Sequence, residues 1–113
     1  METRPNPMRI TDPDSGEVYT LDFNRATVRF AEQRGFMLSA VTERLETGVS
    51  DLFFYAFRKN HREVSRDKTD KLLEELGGLL PEEVGRLTEL YVASITAFNT
   101  EGERKNARLT VEL

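Results

Sequence analysis

Cysteine and tryptophan are absent from this chain, and histidine occurs once. Without cysteine there is no disulfide framework and no thiolate metal site. One imidazole cannot build a zinc site without them. No apolar run approaches the ~18 residues that a membrane span needs. The first residues carry no apolar core of the kind a signal peptide has, so a cytoplasmic location is expected. No Gly-x-Ser-x-Gly elbow is present, and the glycines match neither dinucleotide-binding nor P-loop spacing. What remains is a chain of 113 residues, 38% hydrophobic and 32% charged, with a net charge of −4. That length fits one domain with one modest core and a very polar surface. The acidic balance argues against nucleic-acid binding by bulk charge and leaves a local basic patch to be weighed.

Residues Met1–Pro7 hold two prolines and no periodicity. They are expected to form a loose tail, with Met8 a candidate natural start and residues 8–113 a single domain. Met8 and Ile10, then Tyr19, Leu21 and Phe23, alternate with polar residues around the turn cluster Asp12-Pro-Asp-Ser-Gly16. This reads as a β-hairpin. Asn24 is placed to cap a helix, with Phe23 and Val28 as its hydrophobic staple. Phe23, Ala26, Thr27, Phe30 and Ala31 share one face of that helix, and Gly35 is suited to end it. Leu38, Val41 and Leu45 have helical spacing, so a short helix capped by Ser39 is expected within 36–48. Ser50 is the expected cap of the next helix, with Val49 and Phe54 as a second staple. Leu52, Phe53, Ala56 and Phe57 cover a wide face, and Phe54 and Tyr55 carry the apolar surface nearly all round. Such a helix belongs at the centre of a core.

Ser65 caps a further helix through Leu72, Leu73 and Leu76, stopped by Gly77 and Gly78. Pro81 suits the first turn of the next, with Glu82 and Glu83 complementing its dipole. There Val84, Leu87, Tyr91, Ile95 and Phe98 run down one face with Leu90 at its edge. Leu109, Val111 and Leu113 alternate, which suggests a final strand or extended tail. The fold class is α+β, mainly α: four to five helices, an N-terminal β-hairpin and a possible C-terminal strand. Phe30, Phe53, Phe57, Leu73, Leu87, Tyr91 and Ile95 are the expected core.

No catalytic set emerges. His61 reads as a solvated residue in a basic turn. The acidic pairs Asp12/Asp14, Glu74/Glu75 and Glu82/Glu83 suit a turn, a solvated face and a helix start better than acid–base work, which needs carboxylates held in a pocket. No enzyme activity, cofactor or metal is expected. Arg58, Lys59, Arg62, Arg66, Lys68 and Lys71 form a local basic cluster, and residues 50–62 and 65–76 could be paired as a DNA-binding regulator. The second of those helices carries Asp67, Asp70, Glu74 and Glu75, which suits a phosphate surface poorly. Phe54, Tyr55 and Leu90 exceed what a narrow helical face needs. They either complete the core of a small domain or, with Leu109, Val111 and Leu113, form a self-association or helix-docking surface.

Phe23, Arg25, Val28, Glu32, Gly35 and Phe36 spell Phe-x-Arg-x-x-Val-x-x-x-Glu-x-x-Gly-Phe. Leu52, Phe53, Ala56 and Phe57 spell Leu-Phe-x-x-Ala-Phe, followed by His61 and the pair Val64 and Arg66. Over residues 18–76 the chain resembles the small tail assembly chaperones of long-tailed phages and prophages of Gram-positive hosts. The resemblance implies a compact helical protein that self-associates and coats the tape measure protein before the tail tube polymerises around it. It also implies action in the host bacterial cytoplasm and absence from the finished virion, with no nucleic acid or membrane as partner. Residues 1–7 depart from the family pattern.

Overall fold

A computed structural model describes residues 4–95 and 111–113. It shows two strands, β1 (Met8–Thr11) and β2 (Val18–Leu21), and five helices: α1 (Arg25–Gln33), α2 (Ala40–Glu43), α3 (Leu45–Phe57), α4 (Arg66–Leu76) and α5 (Pro81–Ala93). The fold is α+β, mainly α. The strands pair antiparallel with Met8 opposite Leu21 and Ile10 opposite Tyr19. This register sends Tyr19 and Leu21 into the core. The connecting turn closes as its residues demand. The Asp14 N–H donates to Asp12 Oδ1 at 2.9 Å, and Gly16 takes a φ of 77° that a side chain would resist.

Helix α1 starts at a reciprocal cap: Asn24 Oδ1 accepts from the Thr27 N–H, and Thr27 Oγ1 accepts from the Asn24 N–H, each at 2.8 Å. Its buried face is Thr27, Val28 and Ala31, while Ala26 is exposed. Gly35 ends it at a φ of 92°. Helix α4 is capped by Ser65, whose Oγ accepts from the Lys68 N–H at 3.1 Å, and Gly77 closes it in the left-handed region. Pro81 opens α5, and Glu83 reaches back to the Leu80 N–H at 2.8 Å.

Helix α3 is central and packs against α1, α2, α4, α5 and β2. Leu52, Phe53, Ala56 and Phe57 are fully enclosed. Aromatic rings meet edge-on or tilted around it: Phe53 on Phe57, Phe57 on Tyr19, and Tyr55 on Phe36. Its start lies five residues ahead of the expected cap. Ser50 sits mid-helix, and its hydroxyl donates to the Glu46 carbonyl at 2.8 Å, so Val49 and Phe54 form no staple. Gly48 explains how the helix runs through. It lies against α2 so closely that a Cβ there would meet the Ala40 carbonyl oxygen at 2.1 Å. The helical residues expected within 36–48 therefore divide between the single turn of α2, where Ser39 makes no side-chain cap bond, and the first turn of α3.

Of the expected core, Phe53, Phe57, Leu87 and Tyr91 are buried. Phe30, Leu73 and Ile95 are only half-buried, at the margin of the cluster. Phe98 and Leu109 lie outside the described residues. Val111 and Leu113 are exposed, with no regular structure from Val111 to Leu113.

Two measurements follow from this packing. Phe53→Ala or Phe57→Ala removes a ring from an enclosed site and should cost about 3–5 kcal/mol in denaturant titration; a loss below about 1 kcal/mol would mean the ring is not enclosed. Gly48→Ala should destabilise the protein in the same assay, although alanine is favoured over glycine in a helix by about 1 kcal/mol. A gain in stability would show that α2 does not sit against Gly48.

Candidate docking groove

Two half-solvated helix segments flank a broad concavity. The first turns of α3 contribute Leu45, Glu46, Val49 and Ser50. The facing side of α4 contributes Arg66, Asp70, Leu73 and Glu74, and the following loop adds Gly78 and Leu79. The groove holds about 820 Å³. The chain makes it in two ways. Helix α3 begins ahead of the fully enclosed Leu52–Phe57 stretch, and its first turns bury only Gly48, leaving Leu45 and Glu46 exposed. At the far side, Gly77 and Gly78 both take positive φ, turning the chain back so that Leu79 packs beside Leu73.

Val49, Leu73 and Leu79 are half-buried and form the floor. Leu45 stands on the rim with 67% of its surface exposed. At the other end Arg66 bridges the two helices, at 2.9 Å from Asp51 and 3.0 Å from Asp70. Its guanidinium also lies 5.5 Å from the centre of the Phe54 ring. Burial would lower the Arg66 pKa, but its bonds to Asp70 and Asp51 outweigh that and raise it.

The residues expected to bind a partner are distributed differently. Leu90 is completely buried and Tyr55 is buried against Phe30 and Phe36. Both complete the core, which removes them from any docking surface. Phe54 is half-buried beside Arg66 at the edge of the groove. None of the floor and rim residues was expected to line a groove: Leu45 and Val49 read as short-helix and staple positions and Leu73 as core, while Leu79 carried no reading. The signal was the spacing of Leu45 and Val49, one turn apart, continuing the helix ahead of Ser50.

Three cations of the basic cluster are engaged by carboxylates, while Arg58 lies close enough to Arg62 and Arg34 to feel their charge. Arg58 lies over the Phe30 ring at 3.5 Å, where burial lowers its pKa. Lys59 reaches Asp22 at 2.5 Å, Lys68 reaches Asp12 at 2.8 Å, and Arg66 is held as above. Arg62 makes no ion pair among the described residues. His61 is not simply solvated. Its Nε2 accepts the Thr20 N–H at 2.9 Å, and its ring packs edge-on against Tyr19, so it fastens the exit of α3 to β2.

Two buried carboxylates anchor the remaining cations. Asp22 Oδ1 accepts from Arg4 at 2.9 Å and from the Phe23 N–H at 2.8 Å, while Oδ2 takes Lys59. Burial alone would push the Asp22 carboxyl up. The bonds from Lys59 and Arg4 overcome this and hold it below the usual carboxylate range. Arg4 also donates to the Phe23 carbonyl at 2.6 Å, and Arg86 donates to the Asn6 carbonyl at 3.0 Å. Residues 4–6 are therefore tied to the domain rather than a loose tail. The second anchor is Asp12, buried in the hairpin turn, whose carboxyl Lys68 and the Asp14 N–H hold at about 2. Asp14 and Glu75 approach it, and the bond from Asp14 raises the Glu75 pKa. Both Asp12 oxygens are already engaged by Asp14 and Lys68, so this trio is part of the hairpin's attachment to α4.

These residues define a class: a small, mainly helical domain whose exposed feature is an apolar groove between two helices, rimmed by charge. The chain belongs to the family described as "Domain of unknown function (DUF5055)", which matches it over residues 2–113. No curated protein and no solved structure matches it.

Both anchoring aspartates are depressed in the folded state. Their stabilisation is present above the unfolded carboxyl range and lost as pH falls through the folded values. For Asp12 the window runs from about 4 in the unfolded chain down to about 2 in the folded one. Thermal unfolding across that range should show a steep acid limb. Asp12→Asn should be less stable at neutral pH and lose less on acidification. An unchanged acid limb in this variant would contradict the assignment.

Proposed function

We propose that this protein is a phage tail assembly chaperone, a binding protein without catalytic activity that self-associates and keeps the tape measure protein soluble during tail morphogenesis in the bacterial cytoplasm. The observation that carries this reading is the α3–α4 groove. The domain encloses its aromatic core and still leaves Leu45 exposed on the groove's rim beside the half-buried Val49, Leu73 and Leu79. An uncovered apolar strip of this kind is the recognition chemistry for amphipathic segments. The motif likeness over residues 18–76 supports the same reading, because it runs through α1, α3 and α4 and includes Arg66 of the groove.

A tape measure protein is long and helical and exposes apolar stripes until the tube encloses it. Many small subunits along one such chain bind by avidity, so each contact can be weak. The competing regulator reading needs a continuous cationic face on α3 and α4, and Lys59, Arg66 and Lys68 are instead paired with carboxylates.

Co-expression with the tape measure protein of the same phage is the deciding test. That protein should remain in the soluble fraction with this chain present and precipitate without it. If it precipitates in both cases, the chaperone assignment fails.

A further inference from the structure

The groove carries more acid than base: Glu46, Asp70 and Glu74 against Arg66. Asp70 is partly neutralised by Arg66, while Glu46 and Glu74 pair with no cation among the described residues. Residues 104–113 of the same chain have the opposite balance. Arg104, Lys105 and Arg108 stand against Glu112, a local excess of positive charge in a protein whose net charge is −4. Within that segment Leu109, Val111 and Leu113 alternate with polar residues.

The spacing also matches. Alternate residues of an extended chain lie ~6.6–6.8 Å apart, and residues one helical turn apart, such as Leu45 and Val49, lie ~6 Å apart along the axis. An extended segment can therefore set successive apolar side chains against Leu45 and Val49 while its arginines meet the carboxylates. Val111 and Leu113 of the same chain are exposed rather than packed against apolar surface.

We infer that the α3–α4 groove receives residues 104–113 of a second copy of this chain, and that this contact is how the protein self-associates. It rests on the self-association in the proposed function and supplies its surface and its segment. The contact is reciprocal, because each copy presents one groove and one segment.

The test is a charge swap on the full chain, read by sedimentation velocity at low ionic strength over a dilution series. Wild type should show a concentration-dependent dimer. Glu46→Lys with Glu74→Lys, and separately Arg104→Glu with Arg108→Glu, should each weaken self-association at least about tenfold, because every groove then faces a like-charged segment. An equimolar mixture of the two variants should dimerise again, since both reciprocal contacts are now attractive. The substituted glutamates are exposed, and circular dichroism of each variant should match wild type. Leu109→Ser with Val111→Ser should weaken the dimer through its apolar anchors. A wild type that stays monomeric, variants that self-associate as wild type does, or a mixture that stays monomeric would each overturn the inference. If self-association persists through all the substitutions, the groove contact is wrong while the chaperone reading stands, because the co-expression test decides that separately.

Discussion

The need to surround α3 on all sides organises this molecule. From Leu52 to Phe57 the helix is apolar almost all round, so a single covering layer would leave rings in water. Helix α1 and the hairpin cover one flank, α4 and α5 the others, and α2 lies against Gly48. The cost of exposing rings of this size exceeds what any single cap or ion pair supplies. On the first turns of α3 only Gly48, against α2, is buried, while Leu45 and Glu46 stay exposed. The same helix that fills the core thus supplies one wall of the groove with its less covered end.

Electrostatics then fixes how the surrounding pieces are oriented. Asp12 and Asp22 bracket the hairpin, one in its turn and one just past β2. Each takes backbone N–H groups from its own turn and a cation from a distant helix. Lys68 ties the hairpin turn to α4, and Lys59 with Arg4 ties the α1 entry to the exit of α3 and to residues ahead of the hairpin. His61 adds a third fastening through Thr20. A buried carboxylate is costly unless fully partnered, and both are fully partnered. Two of the cations that read as a basic cluster along the sequence, Lys59 and Lys68, are in space the counter-charges of these two sites.

The elements with local signals were legible in the sequence. The hairpin, the caps at Asn24 and Ser65, the glycine stops at Gly35 and Gly77 and the proline start of α5 each rest on a few adjacent residues whose backbone chemistry is decisive. The start of α3 was not legible at Ser50. A serine is a good cap only if the helix begins there. Here the close approach of Ala40 to Gly48, a tertiary fact, lets the helix begin earlier and turns the hydroxyl back on Glu46. The same holds for Tyr55 and Leu90: an apolar surplus looks alike whether it faces solvent or a neighbouring helix. The partners of Asp12, Asp22 and His61 lie tens of residues away, and periodicity carries no information at that range. The groove was missed because its α3 wall was divided by the misplaced start at Ser50, and because the facing of that wall onto α4 is a tertiary arrangement that neither helix signals alone.

The junction around Asp22 bears on the order in which the chain assembles. Arg4 joins Asp22, 18 positions away, and approaches Ser94, 90 positions away, at 3.4 Å. Closing the 90-residue span to Ser94 costs more chain entropy than closing the 18-residue span to Asp22 or the α3–α4 pair. Asp22 and the Phe23 carbonyl hold the guanidinium from close by in the chain, and Ser94 completes its set of partners only once α5 has docked.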